Sequence, residues 1–207
     1  MKNKILDSII NIIKKYYNYS DEKILEIRYG LESIYLSLFK TIIIIIMSFF
    51  IHTTKELCIF FITYGILRLI AFGLHTKKSL HCWISSIITF GIIPLLIKNL
   101  KLNNNLLIPC SLLILILIII YAPADTEKRP LINKKKRIIY KVLSTIVSII
   151  YIFIIYYSKN YYIKNIFFFS LLLQCLLILP ITYKLFGLSY NNYKRYKLKG
   201  GKKEWNY

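Results

Sequence analysis

Apolar residues along the chain gather in long runs separated by short polar stretches. Six runs lie near Ser33 to Ile51, Lys55 to Phe72, Leu80 to Ile97, Asn105 to Tyr121, Ile138 to Tyr157 and Tyr161 to Ile181. Each approaches the twenty or so residues a helix needs to cross a hydrocarbon core roughly 30 Å thick. Inside lipid every backbone amide must find its partner within its own segment, and these runs are too uniformly apolar for barrel strands. The pattern therefore predicts an all-α, polytopic integral membrane protein with about six transmembrane helices. It reads as one membrane domain over 1–207, with an N-terminal region to residue 32, the spans over 33–181 and a basic tail over 182–207.

Before the first run the spacing changes. Ile5, Ile9, Ile12, Ile13 and Tyr16 recur at helical intervals, while Lys4, Asp7, Asn11 and Lys14 line the opposite face. This predicts an amphipathic helix lying on the membrane surface. Ser20 or Asp21 is placed to cap a second helix, with Glu22 favoured in its first turn by the helix dipole, and that helix is expected to run on into the first span. Met1 to Tyr17 has neither a long apolar core nor a small-residue cleavage site, so a removable signal peptide is not expected.

Composition agrees with the pattern: 57% of the 207 residues are hydrophobic. The abundance of Ile, Lys, Asn and Tyr matches the coding bias of an AT-rich genome, so the net charge of +20 informs through placement rather than size. One set of connections holds Lys77, Lys78, Lys128, Arg129, Lys134, Lys135, Lys136 and Arg137. The other holds Lys55, Lys98, Lys101, Lys159 and Lys164. The termini join the richer set, and the positive-inside rule then puts both in the cytoplasm. Anionic membrane lipids, and not nucleic acid, are the expected partners of these basic segments.

Candidate chemistry is concentrated between the second and third runs. Cys58, Cys110 and Cys175 fall inside apolar runs, where a thiol packs as a small hydrophobe, and no C-x-x-C pair announces a disulfide or zinc ribbon. Cys82 differs, because it follows the polar stretch Thr76 to Ser79 and opens the third run. With Ser79 as N-cap it takes the third helical position, where free amides and the helix dipole favour a thiolate, and Lys77 and Lys78 act in the same direction. His75 lies seven residues earlier. On one unbroken helix the two would share a face about 10 Å apart, too far for proton transfer. A catalytic pair therefore requires the chain to turn between them, and Gly73 with the polar run to Ser79 supplies such a turn. The alternative is an interfacial His beside a packed Cys.

Neighbouring charges leave further roles open. His81 points about 100° away from Cys82 on a helix and reads as interfacial. A zinc site from His75, His81 and Cys82 lacks a further ligand, so no metal or other cofactor is expected. Arg68 lies within the second run, on the same helical face as His75; it either receives a substrate carboxylate or snorkels to the interface. Lys40 and Lys141 snorkel, and Gln174 reads as an interhelical hydrogen bond rather than an oxyanion donor.

Arg68, Gly73, His75 and Cys82 in RLIAFGLHTKKSLHC, together with YAPADTEKRPL from Tyr121 to Leu131, resemble the AgrB family of accessory gene regulator membrane peptidases. The likeness in length, span layout and basic loops covers most of the chain, while the specific motifs occupy these two stretches. The family often has a second glycine before its Gly-x-His, where this chain has Phe72.

The resemblance implies a cysteine endopeptidase that processes the propeptide of a cyclic autoinducer, the AgrD type. Cys82 would attack a peptide bond near the propeptide's C-terminal part, with His75 activating the thiol and protonating the leaving amine. A cysteine or serine of the bound peptide would then attack the acyl-enzyme thioester, closing a thiolactone or lactone ring. A homodimer is a further implication. In the second motif, Pro123 and Pro130 restrict the backbone, and Asp125 and Glu127 are the only carboxylates between Glu56 and Glu204. Asp125 either orients His75 or belongs to a loop that shapes the substrate channel or caps the fifth span. Two other classes stay open: a non-catalytic membrane transporter or exporter of a peptide, for which Arg68 is the one strong intramembrane charge and no repeat is evident, and a membrane scaffold with a basic face.

Overall fold

The computed structural model describes residues 2–74, 79–126 and 130–194, and these are helical with no strand among them. They cluster into two compact units, Met1–Ile51 and His52–Tyr207.

The first unit holds two helices. In α1 (Lys2–Tyr16), Leu6 and Ile10 are buried while Ile5, Ile9, Ile12 and Tyr16 stay exposed on an apolar flank. It packs against α2 (Asp21–Phe50), where Arg28 meets Asp7 at 2.8 Å. Ser20 caps α2 by accepting from the Lys23 amide, with Asp21 and Glu22 in the first turn. One 30-residue helix thus joins the polar lead-in to the first apolar run, as the capping pattern predicts.

The second unit contains α3 (Thr54–Ala71), α4 (Ser79–Asn99), α5 (Asn104–Tyr121), α6 (Lys134–Tyr157), α7 (Tyr161–Ile178) and the short α8 (Pro180–Leu185). Helices therefore stand at all six predicted places, and α2, α5, α6 and α7 are long and apolar enough to cross a membrane. The apolar stretch Trp83–Asn99 of α4 is shorter, and α3 carries Lys55, Glu56 and Arg68 along its 18 residues. Apart from the expected lead-in of α2, two boundaries differ from the apolar pattern by three residues or more. α6 begins at Lys134 rather than Ile138, because the Asn133 side chain caps the amides of Lys135 and Lys136 and draws the basic run into the first turn. α7 stops at Ile178 rather than Ile181, since Pro180 disfavours helical geometry at Leu179 and starts α8 instead.

The centre of this unit is α7, which packs against α3, α4, α5 and α6. Its apolar window is 56% buried against 22% for α5 and α6, so it is the helix on which the others are assembled. Leu171, Cys175 and Ile178 of α7 meet Phe60, Leu67 and Ala71 of α3 and Ile114 and Ile118 of α5 in one cluster. Lipid is as apolar as leucine and gives helices little hydrophobic reason to associate, so buried polar contacts matter more here. Thr63 and Ser170 share a hydrogen bond of 2.8 Å, and the Tyr151 hydroxyl donates to the Thr63 carbonyl at 2.8 Å, joining α3, α7 and α6. Of the three cysteines read as packed hydrophobes, Cys175 is buried, Cys110 half-buried and Cys58 exposed on the surface of the helix bundle.

Candidate active site

The helix α3 ends because its backbone reverses sign. Phe72 adopts φ 56° and ψ −133°, and Gly73 follows at φ 118°. Both lie in territory that glycine enters freely and L side chains resist. The Phe72 ring packs edge-on against Tyr140 of α6 at 4.9 Å, a contact that offsets part of the backbone strain. Gly73 has no such latitude. A Cβ there would sit 2.5 Å from Arg68 Nη1 and 2.9 Å from the Leu177 carbonyl oxygen.

Three separate stretches of chain meet around this turn. The Gly73 amide donates to the Ala124 carbonyl at 2.9 Å and the Ala124 amide to the Ala71 carbonyl at 3.1 Å, a single parallel bridge between Phe72 and Ala124. The Leu74 amide donates to the Leu177 carbonyl at 2.9 Å, at the end of α7. Arg68 forks back onto its own chain, Nη1 donating to the Phe72 carbonyl at 2.7 Å and Nη2 to the Leu74 carbonyl. Gln174 Nε2 donates to the same Phe72 carbonyl at 2.7 Å. The two stretches singled out as motifs, far apart in sequence, thus become neighbours at the end of α3.

Asp125 follows directly on Ala124 and is 4% exposed. Its Oδ1 accepts from the Asn192 amide at 2.9 Å, and its Oδ2 from the amides of Tyr193 at 2.8 Å and Leu131 at 3.3 Å. Burial pushes its carboxyl above the ordinary value of 3.8; the three amides and the Arg137 guanidinium pull the other way without cancelling it. The Tyr183 hydroxyl donates to the Asp125 carbonyl at 3.1 Å, and Arg137 lies over the Tyr193 ring at 3.6 Å. The Asp125 carboxylate therefore fastens the chain beyond α8 to the loop before α6.

Of the predicted residues, Arg68, Gly73 and Asp125 belong to this one corner. His75 lies outside the described residues, as does the side chain of Cys82. The backbone of Cys82 is the fourth residue of α4, one later than an N-cap at Ser79 would make it. Gln174, expected to make an interhelical bond, donates instead to the turn that follows α3, at the Phe72 carbonyl. Sequence reasoning missed Tyr183 and Asn192; the turn-forming Ser189, Asn191 and Asn192 were the available signal for the second.

A bundle of apolar helices around a central α7, with an irregular polar corner at one end, defines a multi-pass membrane protein. The family model for accessory gene regulator B matches residues 6–178, and the chain belongs to that family. It is 28% identical over 200 residues to a putative AgrB-like protein of Clostridium acetobutylicum, covering 95% of this chain and 96% of the relative. A putative AgrB-like protein of Listeria welshimeri is 29% identical, with 95% and 96% covered. The accessory gene regulator protein B of Staphylococcus aureus is 33% identical over 72% of this chain and 82% of its own length. No solved structure matches. Membership supports a role in the agr quorum-sensing system.

Proposed function

We propose that this chain is a membrane cysteine endopeptidase that cleaves the C-terminal part of an AgrD-like autoinducer propeptide and promotes its cyclisation. The Cys82 thiolate attacks the scissile carbonyl, and His75 takes the thiol proton and delivers it to the leaving amine. The C–N bond breaks as a thioester forms on Cys82. A cysteine or serine within the retained peptide then attacks that thioester, the acyl group passes to it, and the Cys82 thiol is released with a closed thiolactone or lactone ring. Thioester exchange conserves the activated acyl group provided water is kept away.

The observation that carries this reading is the break between α3 and α4. A helix continuous from Arg68 to Cys82 would hold the two candidate residues about 10 Å apart. Instead α3 ends at Ala71, and α4 begins at Ser79 with Cys82 in its first turn. The first turn of a helix has unpaired amides and the positive end of the dipole, both of which favour a thiolate. The basic connections support a cytoplasmic site, with both termini on the same side and anionic lipid headgroups around it. A homodimer accords with the family likeness.

The test is co-expression with a tagged precursor encoded beside the gene. Cys82→Ala and His75→Ala abolish processing while the protein accumulates normally in membranes. Processing by Cys82→Ala at the wild-type rate refutes the peptidase.

A further inference from the structure

The middle of α7 reads Phe167, Phe168, Phe169, Ser170, Leu171, Leu172, Leu173, Gln174, Cys175, Leu176, Leu177. Gln174 is completely buried in this apolar setting, and among the described residues its Oε1 has no hydrogen-bond partner. A buried amide oxygen left unpaired is unfavourable, and leucine at this position avoids it altogether. What the amide supplies must come from its other end, where Nε2 meets the Phe72 carbonyl at 2.7 Å. Only the NH2 end can face a carbonyl, which fixes the side chain's sense.

The Phe72 carbonyl has two lone pairs and uses both. Arg68, from α3, fixes it relative to the helix that Phe72 has just left. Gln174 fixes it relative to α7, the helix at the centre of the bundle. One turn further along the same face of α7, the Leu177 carbonyl accepts from the Leu74 amide. α7 thus grips the chain on both sides of Gly73, immediately before His75.

We infer that Gln174 is a positioning residue of the peptidase, holding the left-handed Phe72–Gly73 turn against α7 so that the chain leaves α3 on the path catalysis requires. This rests on the peptidase reading above. Gln174 touches no substrate; it acts through the Phe72 carbonyl.

Two variants test it, with turnover and KM for the tagged precursor measured in membranes containing matched amounts of protein. Gln174→Leu keeps the bulk and removes the donor. Its turnover falls on the order of tenfold to a hundredfold, KM staying within about twofold, because geometry at the reacting groups is lost rather than binding. Gln174→Glu makes the donor depend on pH. The neutral carboxylic acid donates through its O–H to the Phe72 carbonyl, whereas the ionised carboxylate has only acceptors to offer. Burial favours the neutral form, so the ratio of Glu-variant to wild-type turnover is high at acid pH and falls as pH rises. A structural role alone would change the amount of folded protein with pH, and not the turnover per folded molecule. Wild-type turnover in Gln174→Leu, or a flat ratio for Gln174→Glu, overturns the inference; if the Leu variant fails to accumulate, the Glu variant decides by itself. Cys82→Ala in the same assay separates the two levels. Processing that survives it removes the peptidase reading and the inference with it, whereas an inactive Cys82→Ala beside a fully active Gln174→Leu removes the inference alone.

Discussion

The two ends of the α3 to α7 bundle solve the same problem in different ways. At one end, where α5 and α7 begin and α4 stops, the helices are closed by side-chain caps and by polar side chains that reach neighbouring elements. Asn103 and Asn160 cap α5 and α7 by accepting from amides two residues ahead, and Lys98 reaches the His52 carbonyl at 2.7 Å. Asn165 covers the carbonyls of Ile97 and Leu100, and Lys164 donates to Asn104 at 2.7 Å. At the other end, the chain after α3 is held by Ala124 from one loop, Leu177 and Gln174 from α7 and Arg68 from α3 itself. Standard caps suffice to finish a helix. A turn with positive φ at two successive residues, one of them Phe72, costs conformational energy, and this one is gripped from several elements.

Substitutions at the two ends should therefore separate activity from stability. The largest effect belongs to Gly73→Ala. Its Cβ meets Arg68 and the Leu177 carbonyl and its φ of 118° is strained, so roughly 3 kcal/mol or more of stability and essentially all processing should be lost. Thermal unfolding in detergent and the precursor assay read the two losses. Arg68→Lys comes next. A single ammonium cannot reproduce the fork onto the Phe72 and Leu74 carbonyls, and turnover should fall at least about tenfold with the protein still folded. If precursor binding weakens instead while turnover of bound peptide is unchanged, Arg68 acts on the substrate.

Asp125→Asn turns an acceptor of two amides into an NH2 group that faces them, or leaves the Asn192 amide unmet. A loss of about 1–3 kcal/mol is expected, with faster proteolysis of the segment beyond α8. The opposite end should respond mildly: Asn103→Ala and Asn160→Ala each cost about 1 kcal/mol of stability and leave processing at the wild-type level. The smallest effect is on pH dependence. Because burial raises the Asp125 carboxyl above 3.8, the folded chain holds that proton more tightly than the unfolded one. The stability it contributes is full below the unfolded value and is lost as pH rises through the folded one, so the wild-type advantage over Asp125→Asn should narrow over that interval.

Much of this architecture was legible from one-dimensional patterns, because membrane helices are specified by local apolar runs. Six runs gave six helices, and Ser20 announced the start of α2. The misplaced boundaries at Lys134 and Ile178 came from caps and a proline overriding hydrophobicity. The corner was legible only as a set of residues. Gly73, Arg68 and Asp125 stood out by type, but what Arg68 does depends on a left-handed turn that places two carbonyls within its fork. Likewise, nothing local tells that the Asp125 carboxylate accepts from amides some sixty-seven residues away. Spacing carries information about neighbours on one helix, whereas these contacts join elements that only the packed bundle brings together.

The most direct measurement is mass spectrometry of the full-length protein after co-expression with the tagged precursor. Cys82 is expected to carry a peptide adduct that hydroxylamine removes and that Cys82→Ala abolishes, as a thioester on that sulfur requires. Intact precursor beside an unmodified Cys82, or an adduct that persists in Cys82→Ala, would contradict the proposal that this chain is a thioester-forming peptidase.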